Sequence, residues 1–157
     1  VAGHRLTHMS FHGALGNMSA VDEGYAMAIG RAIKTVDPRI IYVAMAGTEH
    51  VKAAEKLGLR VAREGFADRQ YDETGHLASR QIPGTVYKDA AKALEQSLRM
   101  IEKKEVVTRS GKVIPIEVDT ICLHGDEPTA VKVAGEVRKG LEAAGVQIVT
   151  IPEMLAR

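Results

Sequence analysis

The sequence predicts an α/β fold in which parallel strands alternate with helices. Short apolar runs, such as residues 40–46, have the length and composition of strands buried on both faces. The longer segments between them carry apolar residues every three or four positions, which is the helical period. This alternation favours a parallel sheet with right-handed crossovers, either open or closed into a barrel. No internal repeat or linker divides the 157 residues, so a single domain at residues 1–157 is expected.

The first half of the chain is predicted to contain three strands and two helices. The strands are expected at residues 6–11, 40–46 and 59–62, the last leading into residues 64–69. A loop at residues 12–17 follows the first strand, and Ser19 with Asp22 resembles the start of a helix that Asp37-Pro38 ends. The predicted buried face of this helix carries Tyr25, Ala28, Ile29, Ala32, Ile33 and Val36. Thr48 is expected to cap a short second helix that ends at Gly58.

The second half begins with a polar stretch at residues 70–85, which is too long for a simple connection and is therefore a candidate active-site loop. The elements expected after it are a helix at residues 88–103, a β-hairpin at 106–116 turning at Ser110-Gly111, a strand at 120–124, a helix from Glu127-Pro128 to Gly145, and a last strand at 146–151. The predicted buried faces of the two helices carry Ala91, Leu94, Leu98 and Ile101 in the first, and Ala130, Ala134, Val137, Leu141 and Ala144 in the second.

The composition excludes several classes of protein. A net charge of +1 and 4% aromatic residues argue against nucleic-acid binding. No apolar run reaches the roughly 18 residues of a membrane span, and no secretory leader is visible, so a cytoplasmic location is expected. Cys122 is the single cysteine, and we interpret it as a buried thiol in a reducing compartment. The chain begins with Val1 just before a strand, which suggests a piece of a longer protein.

Polar residues gather where three of the predicted strands end. The first strand leads to His12 and Gly13, the third to Asp68 and Arg69, and the strand at residues 120–124 to His124, Gly125 and Asp126. Because the carboxyl ends of parallel strands meet at one face of a sheet, we expect these groups to line one cleft. The glycines allow backbone N–H groups to approach an oxyanion or a phosphate. The guanidinium of Arg69 suits a planar carboxylate or a phosphate.

Each of these residues also has a structural interpretation. Asp126 is well placed to cap the helix that follows it, and Asp68 with Arg69 to form a local surface ion pair. A metal site is expected only if the fold brings His12, His124 and Asp126 together, and no metal ligand is assigned. The other histidines are expected to be solvated or hydrogen-bonded: His4, His8 in the first strand, His50 on a helix surface and His76 in a loop.

Four linked motifs resemble one known family. They are His12-Gly-Ala-Leu15, then Glu64-Gly-Phe-Ala-Asp-Arg69 followed by Tyr71, then Gln81-x-Pro-Gly84, and Asp119-Thr-Ile-Cys-Leu-His-Gly-Asp126. In this order and spacing they resemble the LamB/YcsF family, the A subunit of bacterial ATP-dependent 5-oxoprolinase. The resemblance covers nearly the whole chain. Common signatures such as the Walker loop, Gly-x-Gly-x-x-Gly, His-Glu-x-x-His and Gly-x-Ser-x-Gly are absent from the sequence.

The resemblance implies a (β/α)7 barrel related to the glycoside hydrolase/deacetylase barrels, here incomplete and with an inserted β-hairpin. It also implies that subunits B and C are partners and that ATP is used to open 5-oxo-L-proline (pyroglutamate) to L-glutamate. On this hypothesis Asp68 or Asp126 acts as general base or positions water, while His12 and His124 stabilise charge developing on oxygen. Arg69 would hold the substrate carboxylate, and Gly13, Tyr71 and Gly125 would line the substrate site.

The sequence departs from the family pattern in two ways. Family members typically read Val-Lys-Pro-His-Gly-Ala-Leu-Tyr-Asn at the first motif, whereas here Ser10 and Phe11 replace Lys-Pro and Gly16 replaces the tyrosine. The Asp-Leu-Asn-Cys-Asp and Cys-Gly-Phe-His-Ala-Gly-Asp motifs of the family's amino-terminal part are missing, so open strand edges and self-association are expected. Two alternatives stay open: a metal-dependent amidohydrolase or deacetylase on the same barrel, and a non-catalytic scaffold fragment.

Overall fold

The computed structural model of the protein describes Gly3 and residues 5–156, so the expectation for His4 lies outside the described residues. These residues form two compact units. The first unit contains the described residues up to Glu64 and those from Thr150 onward, and the second runs from Gly65 to Val149. The expectation that residues 1–157 form a single domain stays a prediction.

A four-stranded sheet with the order β1-β2-β3-β6 confirms the predicted α/β class. Its strands are β1 (His8–Met9), β2 (Ile41–Met45), β3 (Val61–Phe66) and β6 (Thr120–Cys122). β1 and β2 run parallel, with His8 opposite Ile41, and β2 and β3 run parallel, with Tyr42 opposite Val61. Four of the five residues of β2 are fully buried, as expected of a strand covered on both faces. The first strand is much shorter than predicted.

A helix, α1 (Gly13–Ala20), occupies most of the stretch that was predicted to be a loop. Ser19 lies inside this helix, where its hydroxyl donates to the carbonyl of Leu15 at 2.6 Å, so its predicted role as a helix start is wrong. The cap of the next helix, α2 (Glu23–Val36), is instead Asp22, whose side chain accepts from the Tyr25 N–H at 2.9 Å. The glycines and the asparagine in residues 12–17 favoured a loop, whereas tertiary packing selects a helix here.

Small residues set the orientation of α2. Ala26, Ile29, Gly30 and Ile33 are buried, which confirms two members of the predicted face. A Cβ on Gly30 would lie 2.5 Å from Leu57 Cδ1, so this glycine permits the close approach of the following helix. The predicted face is wrong for the residues that are exposed instead: Tyr25, Ala28, Ala32 and Val36.

The next helix, α3 (Glu49–Lys56), is capped by the Thr48 side chain and followed by Gly58 in the left-handed region, as predicted. The prediction that His50 lies on its surface is wrong, because His50 is 2% exposed. Its Nε2 lies 2.6 Å from the Ser19 hydroxyl, and its ring lies 5.7 Å from that of Tyr42. Burial lowers the pKa of His50 to about 4, so the imidazole is neutral in the folded protein at neutral pH.

The second unit contains α4 (Ala90–Lys103), the antiparallel hairpin β4 (Glu105–Val107) and β5 (Val113–Pro115), β6, and α5 (Ala130–Ala143). The hairpin and its turn at Gly111, which has a positive φ, confirm the prediction. Leu94, Leu98 and Ile101 pack against a core of Val133, Val137 and Leu141. Ala91 and Ala144 were predicted to be buried but are exposed.

The predicted last strand at residues 146–151 is wrong. The chain instead forms a short helix, α6 (Ile151–Met154), begun by a capping box between Thr150 and Glu153. Pro152 at the start of the helix removes an N–H that a strand would need but a first helical turn does not. Within the first unit, α6 contributes Ile151, Met154 and Leu155, which pack on Ile41, Val43 and Ala62.

Of the helices in the described part of the chain, none combines the length and the apolarity needed to cross a lipid bilayer.

Gly16 and Gly135 provide a matched test of packing in helices. A Cβ on Gly16 would lie 2.6 Å from the backbone oxygen of Phe11, whereas a Cβ on Gly135 in α5 would meet no atom within 4 Å. We expect Gly16→Ala to lower the free energy of unfolding by about 1–3 kcal/mol through overpacking. We expect Gly135→Ala to raise it by up to about 1 kcal/mol through helix propensity. Urea denaturation measures both, and a neutral or stabilising Gly16→Ala would contradict the packing described for α1.

The burial of His50 predicts a pH dependence of stability. The pKa of His50 is lowered from 6.5 to about 4, so the unfolded chain takes up the proton first as the pH falls. The contribution of the neutral His50 to the free energy of unfolding is therefore complete above pH ~6.5 and is lost between pH ~6.5 and pH ~4. It amounts to at most about 3 kcal/mol. We expect urea denaturation to show a flatter pH profile in this window for His50→Gln than for the unsubstituted chain. His8→Gln, at an exposed ring in β1, is the control; equal profiles for both variants would refute the assignment.

Candidate functional site

A buried carboxylate and an imidazole meet in the second unit, just beyond the ends of β3 and β6. Asp68 is 5% exposed, and its carboxylate lies 2.9 and 3.1 Å from Nδ1 of His124. The backbone N–H of His124 also donates to the same carboxylate, at 2.9 Å. The structure therefore brings together two of the predicted site residues, which are 56 positions apart in the chain.

The contact with Asp68 determines which nitrogen of His124 is available. An ionised carboxylate can only accept hydrogen bonds, so Nδ1 carries a proton and Nε2 is the free nitrogen of the neutral ring. No described residue hydrogen-bonds Nε2, and 23% of the side chain is exposed. The ring is stacked on Phe66 with centroids 5.7 Å apart and planes at 18°. His124 is thus held on one edge and one face, while its second nitrogen has no hydrogen-bond partner in the described part of the chain.

The pKa of Asp68 lies below its ordinary value. Burial of the carboxylate opposes ionisation and raises the pKa, but the hydrogen bonds from the His124 ring and backbone, and the positive charge of the ring when it is protonated, outweigh burial. Asp68 is therefore ionised at neutral pH. Because both of its oxygens are hydrogen-bonded to His124, Asp68 can orient the imidazole ring and stabilise a positive charge on it.

Two side chains support the backbone around Asp68, and the sequence analysis assigned neither of them this role. Gln96 on α4 is 8% exposed, and its amide nitrogen lies 2.7, 3.2 and 2.8 Å from the carbonyls of Phe66, Ala67 and Arg69. The hydroxyl of Tyr71, predicted to bind substrate, accepts from the Phe66 N–H at 2.8 Å. A glutamine among the buried positions of an amphipathic helix was the signal available in the sequence, since buried polar groups need partners.

Arg69 is buried but does not pair with its neighbour Asp68. It is 6% exposed, and its Nη2 donates to the carbonyl of Ala78 at 2.7 Å, so the predicted local surface ion pair is wrong. Its Nε is buried and has no hydrogen-bond partner among the described residues. Burial lowers the pKa of Arg69, and the charge of Arg80 lowers it further, although a guanidinium remains protonated at neutral pH. One N–H of a buried cation therefore has no hydrogen-bond partner among the described residues.

Asp126 is exposed and pairs with Arg80, from the polar loop at residues 70–85. Its predicted role as a helix cap is wrong, because α5 begins after Thr129 and shows no side-chain cap. The hydrogen bond and the charge of Arg80 hold the pKa of Asp126 below its usual value. A Cβ on Gly125 would meet no atom within 4 Å, so open space adjoins the backbone between His124 and Asp126.

The remaining candidate residues are His12, Gly13, two further histidines and Cys122. His12 precedes α1, and Gly13 begins it with a φ of 64°; both belong to the first unit, and their proposed place in a common cleft stays a prediction. His8 and His76 each lie within hydrogen-bond distance of a threonine hydroxyl, Thr7 and Thr74 respectively. Cys122 is half-buried. Among the described residues, no group of three or more His, Cys, Asp or Glu side chains is arranged to hold a metal ion.

Comparison of this chain with known proteins indicates one family. The LamB/YcsF family matches residues 1–156 of the chain. The A subunit of 5-oxoprolinase from Rhodopseudomonas palustris (strain BisB5) is 44% identical over 149 residues, which are 95% of this chain and 59% of that protein. The A subunit of 5-oxoprolinase from Coprothermobacter proteolyticus is 45% identical over 153 residues, covering 98% of this chain and 59% of that protein.

A solved structure supports the fold. The lactam utilization protein from Thermus thermophilus is 38% identical and superposes with a TM-score of 0.83, covering 93% of this chain and 58% of that protein. The chain therefore spans 58–59% of the length of these relatives.

The Asp68–His124 contact predicts a specific stability effect. Asp68→Asn replaces a buried anion that accepts charge-assisted hydrogen bonds, and we expect it to lower the free energy of unfolding at pH 7 by about 2 kcal/mol. Since the pKa of Asp68 is lowered by folding, this stabilisation is present above the ordinary carboxyl pKa of about 4 and is lost as the pH falls through the folded value. Urea denaturation at pH 7 and pH ~3 tests the change. Asp126→Asn, at an exposed carboxylate, is the control and should change stability much less than Asp68→Asn does.

Proposed function

The chain belongs to the LamB/YcsF family, and we propose that it acts in the ATP-dependent opening of 5-oxo-L-proline to L-glutamate, as the A subunit of a 5-oxoprolinase with subunits B and C. Relatives named as A subunits of 5-oxoprolinase and as a lactam utilization protein support this proposal. The single observation that carries the chemistry is the Asp68–His124 contact, because it presents one free imidazole nitrogen from a rigidly held ring.

Opening a lactam requires two proton transfers. Water must lose a proton as it attacks the ring carbonyl, and the ring nitrogen must gain one as the C–N bond breaks. We assign both transfers to Nε2 of His124, first as base and then as acid. Asp68 is the positioning residue: it fixes Nδ1 as the protonated nitrogen and stabilises the imidazolium that forms between the two steps.

The other groups of the second unit suit the substrate. The buried guanidinium of Arg69, with its unpaired Nε, offers a donor to the carboxylate of 5-oxo-L-proline. The open space beside Gly125 leaves room for a substrate next to this backbone, whose N–H would then donate to the carbonyl oxygen on which negative charge develops. Tyr71 contributes through the Phe66 backbone that it holds. ATP hydrolysis would supply the free energy for opening an unstrained amide, and the residues around His124 are assigned to the lactam.

Replacement of His124 tests the proposal. In the enzyme assembled with subunits B and C, we expect His124→Gln to lower kcat for glutamate formation from 5-oxo-L-proline by about 10²–10⁴-fold, the usual contribution of a general acid–base group. We expect KM to change little, because Arg69 rather than His124 holds the substrate carboxylate.

His76→Gln is the matched control, since it makes the same replacement in a loop of the same unit, where the ring contacts Thr74. Circular dichroism and urea denaturation establish that both variants fold. A folded His124→Gln enzyme that keeps the kcat of the His76→Gln control would contradict the role of the imidazole. An unsubstituted assembly that forms no glutamate from 5-oxo-L-proline would contradict the proposed function itself.

A further inference from the structure

Two arginines and an aspartate in the second unit form a charged group that the proposed proton transfers do not use. Arg69 is buried and Arg80 is partly exposed, with 39% of its side chain accessible. Asp126 forms a salt bridge with Arg80 and has 58% of its side chain accessible. Three charges, two positive and one negative, therefore lie beside the segment that carries His124.

One hydrogen bond connects Arg69 to the loop that carries Arg80. Nη2 of Arg69 donates to the carbonyl of Ala78, two residues before Arg80, at 2.7 Å. The charges of Arg80 and Asp126 both act on Arg69, the first lowering and the second raising its pKa. Nε of Arg69 is buried without a partner in the described part of the chain, which is costly for a charged donor. A ligand that accepts from this N–H would remove that cost.

The Arg80–Asp126 pair is suited to exchange. Both side chains reach solvent, and ion pairs between exposed groups contribute little net free energy because water screens them. Replacing Asp126 by the carboxylate of a ligand exchanges one anion for another beside Arg80, so the local charge is conserved. By contrast, Asp68 cannot be exchanged, because it is buried and held by three contacts from His124.

We propose that Arg80 is a second binding residue for the substrate carboxylate, and that it moves from Asp126 to this carboxylate when the substrate binds beside Arg69. This inference rests on the proposed function and deepens it, since it assigns the specificity for a carboxylate-bearing lactam. Two guanidinium groups match the two oxygens of one planar carboxylate. The exchange also releases Asp126, which lies two residues after His124, to hold water near the reacting carbonyl.

Binding of two lactams to the purified chain tests the exchange. 5-Oxo-L-proline carries the carboxylate, and 2-pyrrolidinone has the same ring without it. By isothermal titration calorimetry, we expect the unsubstituted chain to prefer 5-oxo-L-proline, and Arg80→Gln to weaken its binding about tenfold while leaving 2-pyrrolidinone unaffected. We expect Asp126→Asn to act in the opposite direction and tighten 5-oxo-L-proline binding about threefold, because Arg80 no longer has a competing anion.

Lys88→Gln is the matched control. Lys88 is exposed and pairs with Glu127, the neighbour of Asp126, at 2.9 Å, so its replacement removes an equivalent charge without touching the proposed site. Selective loss with Arg80→Gln, no change with Lys88→Gln and a gain with Asp126→Asn support the exchange. Equal losses in Arg80→Gln and Lys88→Gln, an unchanged Arg80→Gln, or no preference of the unsubstituted chain for 5-oxo-L-proline would overturn it.

The two proposals can fail separately. If the assembled enzyme converts 5-oxo-L-proline while its KM is the same with Arg80→Gln and Lys88→Gln, the carboxylate exchange is wrong and the proposed function stands. If the chain discriminates the two lactams through Arg80 but the assembly forms no glutamate, the carboxylate site stands and the proposed reaction is wrong.

Discussion

The buried carboxylate of Asp68 is the constraint on which the arrangement of the candidate site depends. A charge that is 5% exposed is tolerated only if hydrogen bonds replace the water it has lost, and His124 supplies them from both its ring and its backbone. These hydrogen bonds hold the residues just after β3 close to those just after β6. Phe66, the last residue of β3, stacks on the same imidazole, and Asp68 contacts it from the turn that follows. One short segment thus fixes both the tautomer and the plane of the ring.

The backbone that follows β3 also has to be satisfied, since the regular ladder ends there. Gln96 does this from α4 by reaching three carbonyls, and the Tyr71 hydroxyl accepts the N–H of Phe66. Because other side chains meet these backbone needs, those of Asp68 and Arg69 are free for different partners. Asp68, in the turn after β3, contacts His124, while Arg69 contacts the carbonyl of Ala78.

The sequence predicted the four strands of the parallel sheet, though not the length of the first, and the meeting of Asp68 with His124. Apolar runs mark strands, and polar residues beyond them mark the edge where ligands bind. It failed where distant contacts decide the structure. Residues 146–151 have a strand's composition, yet Thr150 and Glu153 form a capping box that begins α6. His50 was assigned to a surface because a polar residue in an amphipathic helix usually lies there, and its partner Ser19 lies in another helix. The partner of Asp126 could not be predicted, since Arg80 is 46 positions away in a loop without periodicity.

The Asp68–His124 and Arg80–Asp126 pairs of the second unit differ in burial, and this difference suits them to different functions. A group that transfers protons must hold its geometry throughout a reaction, which suits the buried Asp68–His124 contact with its ring fixed by Phe66. A group that selects substrates must exchange its partner at low cost, which suits the exposed Arg80–Asp126 pair. Arg69 stands between these cases: it is buried like Asp68, but one of its donors lacks a partner within the described chain. In the proposed function, a carboxylate bound there would complete the hydrogen bonding of Arg69, and the N–H left without a partner by folding would recognise the substrate.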